Sequence, residues 1–188
     1  MIKRFSIVIS LLAIIMLVSA CGVNQEKTNG GEDVKIEKLD KAAVEAYSKN
    51  LKGNTFIKER LIEDNSITIS YFGDFDSYKK ENPKSNIDEA RYSTYFDTGD
   101  AINKILMEES TRLFKEFEGM NQVKISIPFE GKTYSIDIDR TTAEEYFKVD
   151  FKEIGSDDSN EKWRTEVSNK YFTKDYRADF VTKFVTIK

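Results

Sequence analysis

The spacing of apolar positions changes several times along the chain, and each change marks an element. Over residues 5–18 they are almost unbroken for 14 residues. Residues 22–33 (GVNQEKTNGGED) carry no apolar periodicity and contain a Gly-Gly pair, which reads as a flexible tether. Ala43, Val44, Tyr47 and Leu51 then recur at three- and four-residue spacing. That spacing predicts a helix with Asp40 as N-cap and Gly53 as its stop. Phe56, Ile57, Leu61 and Ile62 fit a short amphipathic helix slightly better than alternation, and the turn pair Asp64-Asn65 follows. Residues 66–72 alternate, with Ile67, Ile69 and Tyr71 on one face and Thr68 and Ser70 on the other, as in a half-buried strand.

Residues 73–85 hold Asp74, Asp76 and Pro83 and read as loop, and Asn86 suits the cap of a short helix through Phe96. Ile102, Ile105, Leu106, Leu113, Phe114 and Phe117 form one apolar stripe, which predicts the longest helix of the chain, ended by Gly119. A hairpin follows. Val123, Ile125, Ile127 and Phe129 alternate with polar positions, Glu130-Gly131 makes the turn, and Tyr134, Ile136 and Ile138 alternate on the way back. Register about that turn sets Ile127 opposite Tyr134, Ile125 opposite Ile136, Val123 opposite Ile138, and Lys124 opposite Asp137 on the other face. Pro128 lacks an amide donor, so it must lie at an edge or turn that position outward. Thr141 or Thr142 with Glu144 or Glu145 forms a capping box for a helix through about Val149, and residues 155–160 read as loop. Trp163, Val167 and Tyr171 recur at helical spacing. Thr173 suits the cap of a last helix carrying Tyr176, Phe180, Phe184 and Ile187, with a strand as the alternative because the chain ends in β-branched residues.

The N-terminal run takes its meaning from its flanks. Lys3 and Arg4 precede it, and small residues close it at Val18-Ser19-Ala20-Cys21. A span needs about 20 apolar residues, more than this run supplies. Secretory cleavage after Ala20 is chemically allowed, since Val18 and Ala20 are small at the positions that matter. Cysteine arithmetic favours a third reading. Cys21 is the one cysteine in the chain, and a lone thiol in an exported protein invites unwanted disulfides. The four residues resemble the lipobox of bacterial lipoproteins. That resemblance implies cleavage between Ala20 and Cys21, a diacylglycerol on the Cys21 thiol, and a stable membrane anchor, because two acyl chains hold where one does not. It covers about 22 of 188 residues and implies nothing about the folded part.

Composition then narrows the chemistry. The chain has 29 basic and 33 acidic residues; loss of residues 1–20 removes Lys3 and Arg4 and leaves a formal net charge of −6. Lysines are interspersed with acids, which argues against nucleic acid and against polybasic attraction to an anionic membrane. With no histidine, and no cysteine beyond Cys21, the usual general base, the Ser-His and Cys-His pairs and Cys/His zinc sites are all missing. Asp74 and Asp76 lack the further oxygen ligands and the glycine of a calcium loop and read as a solvated turn. Asp97-Thr98-Gly99 looks like the triplet of aspartic proteases, but Asp100 follows where those continue with a small residue. Asp97 or Thr98 serves better as an N-cap, with Asp100 as a first-turn acid.

These readings predict an α+β chain: residues 1–20 a signal peptide, 21–33 an acylated N-terminus and tether, and 34–188 one domain. In it a small antiparallel sheet with a central hairpin packs against a long helix, and the C-terminus is helical. The expected protein is a lipid-anchored lipoprotein on the extracytoplasmic face of the cell membrane. It is expected to bind an envelope protein or cell-wall partner, with no cofactor and no catalytic residues; the alternative is a carboxylate-based hydrolase of a cell-wall or extracellular substrate. Lysine, isoleucine and asparagine usage fits a low-GC Gram-positive source. Trp163, Tyr171 and Tyr176 are the candidate exposed aromatics, to be weighed against core packing.

Overall fold

The computed structural model describes residues 39–188, which fall within one compact unit, residues 35–188. Helix α1 (Lys41–Ser48) starts at Asp40, whose carboxylate accepts from the amides of Ala42 and Ala43, as expected of an N-cap. It ends before Gly53, which instead opens a 3₁₀ turn (Asn54–Phe56) at φ 69°. The helix expected over residues 56–62 is strand β1 (Ile57–Glu63), paired antiparallel with β2 (Ser66–Tyr71). A bulge between Ile57 and Glu59 resets the alternation, so Ile57 and Ile62 share the face of Tyr71 and Ile67 while Leu61 sits with Thr68 on the other. That single extra residue is why the period of two did not show in the sequence.

The expected loop at 73–85 contains α2 (Phe75–Glu81), capped by Asp74, and α3 (Glu89–Phe96) is capped by Asp88 rather than Asn86. Only Tyr78 of α2 is fully buried, too few apolar positions to mark a helical period. The longest helix runs over residues 100–116 in three parts: α4 (Asp100–Lys104), a π-helical turn (Ile105–Glu109) and α5 (Ser110–Glu116). It stops at Glu116, short of Gly119. Arg140 accounts for the end: its guanidinium donates to the carbonyls of Phe114 (2.7 Å), Phe117 (2.6 Å) and Met120 (2.9 Å).

Strands β3 (Gln122–Phe129) and β4 (Lys132–Asp139) form the hairpin in the expected register, with Lys124 Nζ 3.2 Å from Asp137 Oδ2. Glu130 (φ 49°) and Gly131 (φ 73°) give the two positive angles of a type I′ turn. Pro128 lies two residues past the last β2–β3 pair, Ser70 with Ser126, so the sheet loses no ladder bond to it on that side. The sheet order is β1-β2-β3-β4-β5, and β2–β3 is parallel, so the sheet is mixed rather than antiparallel throughout. The reason is the connection. A helical crossover from α2 to α5 separates the two hairpins, and such a crossover returns the chain in the same direction. Asn65 fixes the return: its carbonyl accepts from the amides of Asn121 (2.7 Å) and Gln122 (3.3 Å).

Helix α6 (Arg140–Phe147) is capped by Asp139 rather than by a threonine, and α7 (Phe151–Gly155) occupies a stretch that the sequence left unassigned. A π-helical turn (Trp163–Ser168) leads into α8 (Asn169–Tyr171), and Thr173 caps α9 (Lys174–Phe184) as expected. Both readings of the C-terminus hold in part: helix through Phe184, then strand β5 (Val185–Ile187) on β4. The fold is α+β with a helical C-terminal region. One face of the sheet (Ile67, Ile69, Val123, Ile125, Ile127, Ile136, Ile138) is buried with the long helix in a single core, each such residue contributing about 1.5–3 kcal/mol. The other face is polar: Ser70, Ser126, Ser135 and Thr186 line up in one row across four strands.

Candidate functional site

The lipid-attachment residue Cys21 and the cleavage position after Ala20 lie outside the described residues. Within them, the acids singled out by the sequence are structural. Asp74 accepts from the Ser77 amide (2.7 Å) and hydroxyl (2.9 Å), and these bonds hold its carboxyl below the ordinary range. The cap of α4 is Gly99 (φ 69°) rather than Asp97 or Thr98: Asp97 closes α3, Thr98 Oγ1 accepts from the amide of Asp100 at 3.3 Å, and Asp100 is the first-turn acid as expected. Among the described residues no group of three or more Asp, Glu, His or Cys is arranged to hold a metal.

The strongest cluster was not foreseen. Glu108 and Glu109 occupy the π-turn, with side chains 7% and 3% exposed. Lys52, from the segment after α1, places Nζ 3.0 Å from Glu108 Oε2 and 3.0 Å from Glu109 Oε1. From α9, Arg177 donates Nη1 to Glu108 Oε1 (3.0 Å) and to the Phe172 carbonyl (3.1 Å), and Nη2 to Asp100 Oδ1 (3.2 Å). Arg112 Nε approaches Glu109 Oε1 to 3.5 Å. Adjacent carboxylates in a low-dielectric interior need such counter-charges. Lys104 and then Arg177 hold the Asp100 carboxyl below the ordinary range. π-Turns are frequent at functional sites, but a general acid or base needs a carboxyl able to reach a substrate. Here both glutamates are spent on cations, and the cluster ties α9 and the α1–β1 segment to the long helix.

A second acidic place is a cleft of about 550 Å³ between α5 and α7, lined by Glu116, Glu118, Asp150 and Glu153 among others. Its acids are also engaged. Asp150 accepts from the amides of Lys152 (2.8 Å) and Glu153 (3.1 Å) as the α7 cap, Glu118 pairs with Lys152, Glu116 with Lys115, and Glu153 with Lys162. The carboxyls displaced from their ordinary range, those of Asp74, Asp100, Asp139, Asp157 and Asp179, are all lowered, the direction opposite to a neutral general acid.

The aromatic candidates divide. Trp163 (9% exposed) and Tyr171 (4%) are in the core, and Tyr176 (41%) is exposed with its ring edge-on to Tyr171. Elsewhere Phe56 meets Tyr78, Tyr92, Tyr95 and Phe96, and Tyr146 meets Phe147, Phe180 and Phe184. These rings pack the interior and lend no support to an aromatic docking patch. Comparison with known proteins finds no matching family model, no matching curated protein and no matching solved structure.

Proposed function

We propose that the chain is a lipoprotein held at the extracytoplasmic face of the cell membrane through Cys21, and that it acts there by binding an envelope protein or cell-wall partner. The lone cysteine at the end of Val18-Ser19-Ala20-Cys21, behind a 14-residue apolar run, carries the reading. Twelve tether residues (22–33) reach about 4 nm at ~3.3–3.6 Å each, so a lipid on Cys21 keeps the folded unit close to the bilayer. Among the described residues no helix is long and apolar enough to cross a membrane. Binding is favoured over carboxylate hydrolysis because the clustered acids described above are committed to caps and ion pairs.

The test has two readouts. Mass spectrometry of the mature N-terminus detects a diacylglyceryl Cys21, and fractionation of Cys21→Ala finds the protein released from the membrane. An unmodified Cys21, or a Cys21→Ala protein that stays membrane-bound after signal cleavage, overturns the anchor. Cross-linking on intact cells followed by mass spectrometry tests binding; recovery of the protein with no cross-linked envelope component overturns it.

A further inference from the structure

Three cations line one cleft, and among the described residues no acid is paired to any of them. Lys49 follows the last turn of α1, Arg60 comes from β1, and Lys84 from the connection between α2 and α3. The cleft measures about 630 Å³ and opens broadly to solvent. Asn54 and Thr55 line it with side-chain donors, and Glu81 is its one acid. The buried and half-buried cations Lys52, Arg112, Arg140 and Arg177 have carboxylate partners, whereas exposed lysines such as Lys58, Lys80 and Lys148 form no ion pair either. Lys49, Arg60 and Lys84 form no ion pair among the described residues.

Arg60 is the informative member. The bulge at the start of β1 turns it to the covered side of the sheet, opposite Ile69, between this cleft and a smaller one beside Lys41 and Glu45. Its Nε is shut off from solvent and has no hydrogen-bond partner, as is also true of Arg112 and Arg177, but unlike them Arg60 has no carboxylate on its guanidinium among the described residues. Nε itself is out of reach of a ligand; the terminal guanidinium nitrogens, which have no carboxylate partner, are the donors an anion in the cleft would meet. The walls are held in place around it. Tyr78 Oη and Ser85 Oγ share a 2.7 Å hydrogen bond, Ser85 Oγ also accepts from the Ile87 amide, and Asn82 Nδ2 donates to the Tyr78 carbonyl. Three positive groups and one negative group leave the cleft at +2 in a chain whose net charge is −4. A phosphate monoester carries about −1.5 to −2 at neutral pH.

We propose that this cleft binds a phosphate-class oxyanion, with the Arg60 guanidinium as its fixed donor, Lys49 and Lys84 as flanking charges, and Asn54 and Thr55 as neutral donors. The site does not depend on lipid attachment at Cys21. It is tested on the full-length protein reconstituted into phosphatidylcholine vesicles, with lysine acetylation read by mass spectrometry. Inorganic phosphate or glycerol 3-phosphate is expected to protect Lys49 and Lys84 saturably, leaving the exposed Lys148 reactive. In Arg60→Gln the same protection is expected to need about tenfold more phosphate. Should Arg60→Gln fail to fold, Lys49→Gln, at an exposed position, is read through weakened protection of Lys84. Protection by vesicles containing phosphatidic acid but by neither soluble phosphate assigns the oxyanion to a lipid headgroup. Absence of protection in every arm, or equal protection at Lys148, overturns the site.

Discussion

Glu108 in the π-turn of the long helix and Arg177 on α9 lie 69 residues apart in sequence and form a 3.0 Å ion pair, with side chains only 7% and 11% exposed. Removing Arg177 leaves the buried Glu108 with Lys52, and removing Glu108 leaves Arg177 with Asp100, so each keeps only part of its compensation. Glu108→Ala and Arg177→Ala are each expected to lose about 3–5 kcal/mol of stability, measured by urea unfolding. The double variant should lose less than the sum, since each single substitution already removes the interaction between the two. Simple additivity would mean that the pair contributes nothing as a pair.

Arg140 closes the end of the long helix by donating to three carbonyls at 2.6–2.9 Å. Arg140→Met keeps the aliphatic stem but removes every donor, and is expected to cost about 2–4 kcal/mol. Arg140→Lys should recover only part of that, because one ammonium cannot reproduce the planar fork. Full recovery by lysine in the same unfolding assay would show that charge alone matters there.

Gly155 and Gly131 should respond differently to alanine. A Cβ on Gly155 would run into the backbone carbonyl of Lys115, where α7 lies against α5, while a Cβ on Gly131 meets nothing within 4 Å. Gly155→Ala therefore has to push two helices apart and is expected to cost about 1–3 kcal/mol. Gly131→Ala pays only for the left-handed angle of the hairpin turn, about 1 kcal/mol. Thermal unfolding of the two variants gives the ranking directly.

Acid should weaken the fold in a defined window. Asp74 and Asp139 cap helices, and the Ser77 and Thr142 amides hold their carboxyls below the ordinary 3.8; the Ser159 hydroxyl brings Asp157 down to about 2. A depressed carboxyl adds stability above its unfolded pKa and loses it as pH falls through the folded value. Urea midpoints are thus expected to hold steady above pH 4 and to fall as the pH drops toward 2. Asp139→Asn, which keeps an acceptor but cannot titrate, should flatten part of that fall.

Base should do the same through the phenols. Burial pushes Tyr47 and Tyr92 up to about 12 from 10.0. Groups raised in the fold stabilise it below the unfolded pKa and cease to as pH climbs to the folded one. Tyrosinate absorbance is expected to rise together with unfolding between pH 10 and 12; ionisation of these two phenols at pH 10 with the fold intact would contradict their burial.

Legibility from sequence followed the range of the interactions involved. The β3–β4 hairpin was readable because alternation and the Glu130-Gly131 turn are both local, and its register followed from counting about that turn. Capping at Asp40 and Thr173 was local too. Strand β1 was not readable, since one bulged residue between Ile57 and Glu59 erased the alternation. The parallel β2–β3 pairing was hidden for another reason: strand direction depends on how the crossover packs, which no short window contains. Of the chemistry, Cys21 stood out by being the one cysteine behind a signal-like run. Glu108, Glu109, Lys49, Arg60 and Lys84 looked like any other charges in a chain with 62 of them.

What the sequence by itself determined is the placement of apolar faces, the turns and caps, the absence of histidine, and the lipobox-like close of the N-terminal run. Each depends on residues within a few positions of one another, where side-chain period and backbone preference act directly. Only the tertiary structure decided which charges are buried. Glu108 sits on the polar side of an amphipathic helix and belongs in water until Lys52 and Arg177 arrive from opposite ends of the chain. Arg60 reads as surface charge until a bulge turns it to the covered face of the sheet, where it is half-buried at the wall of a cleft. Burial is a property of what packs on top, and what packs on top of these residues comes from far along the chain.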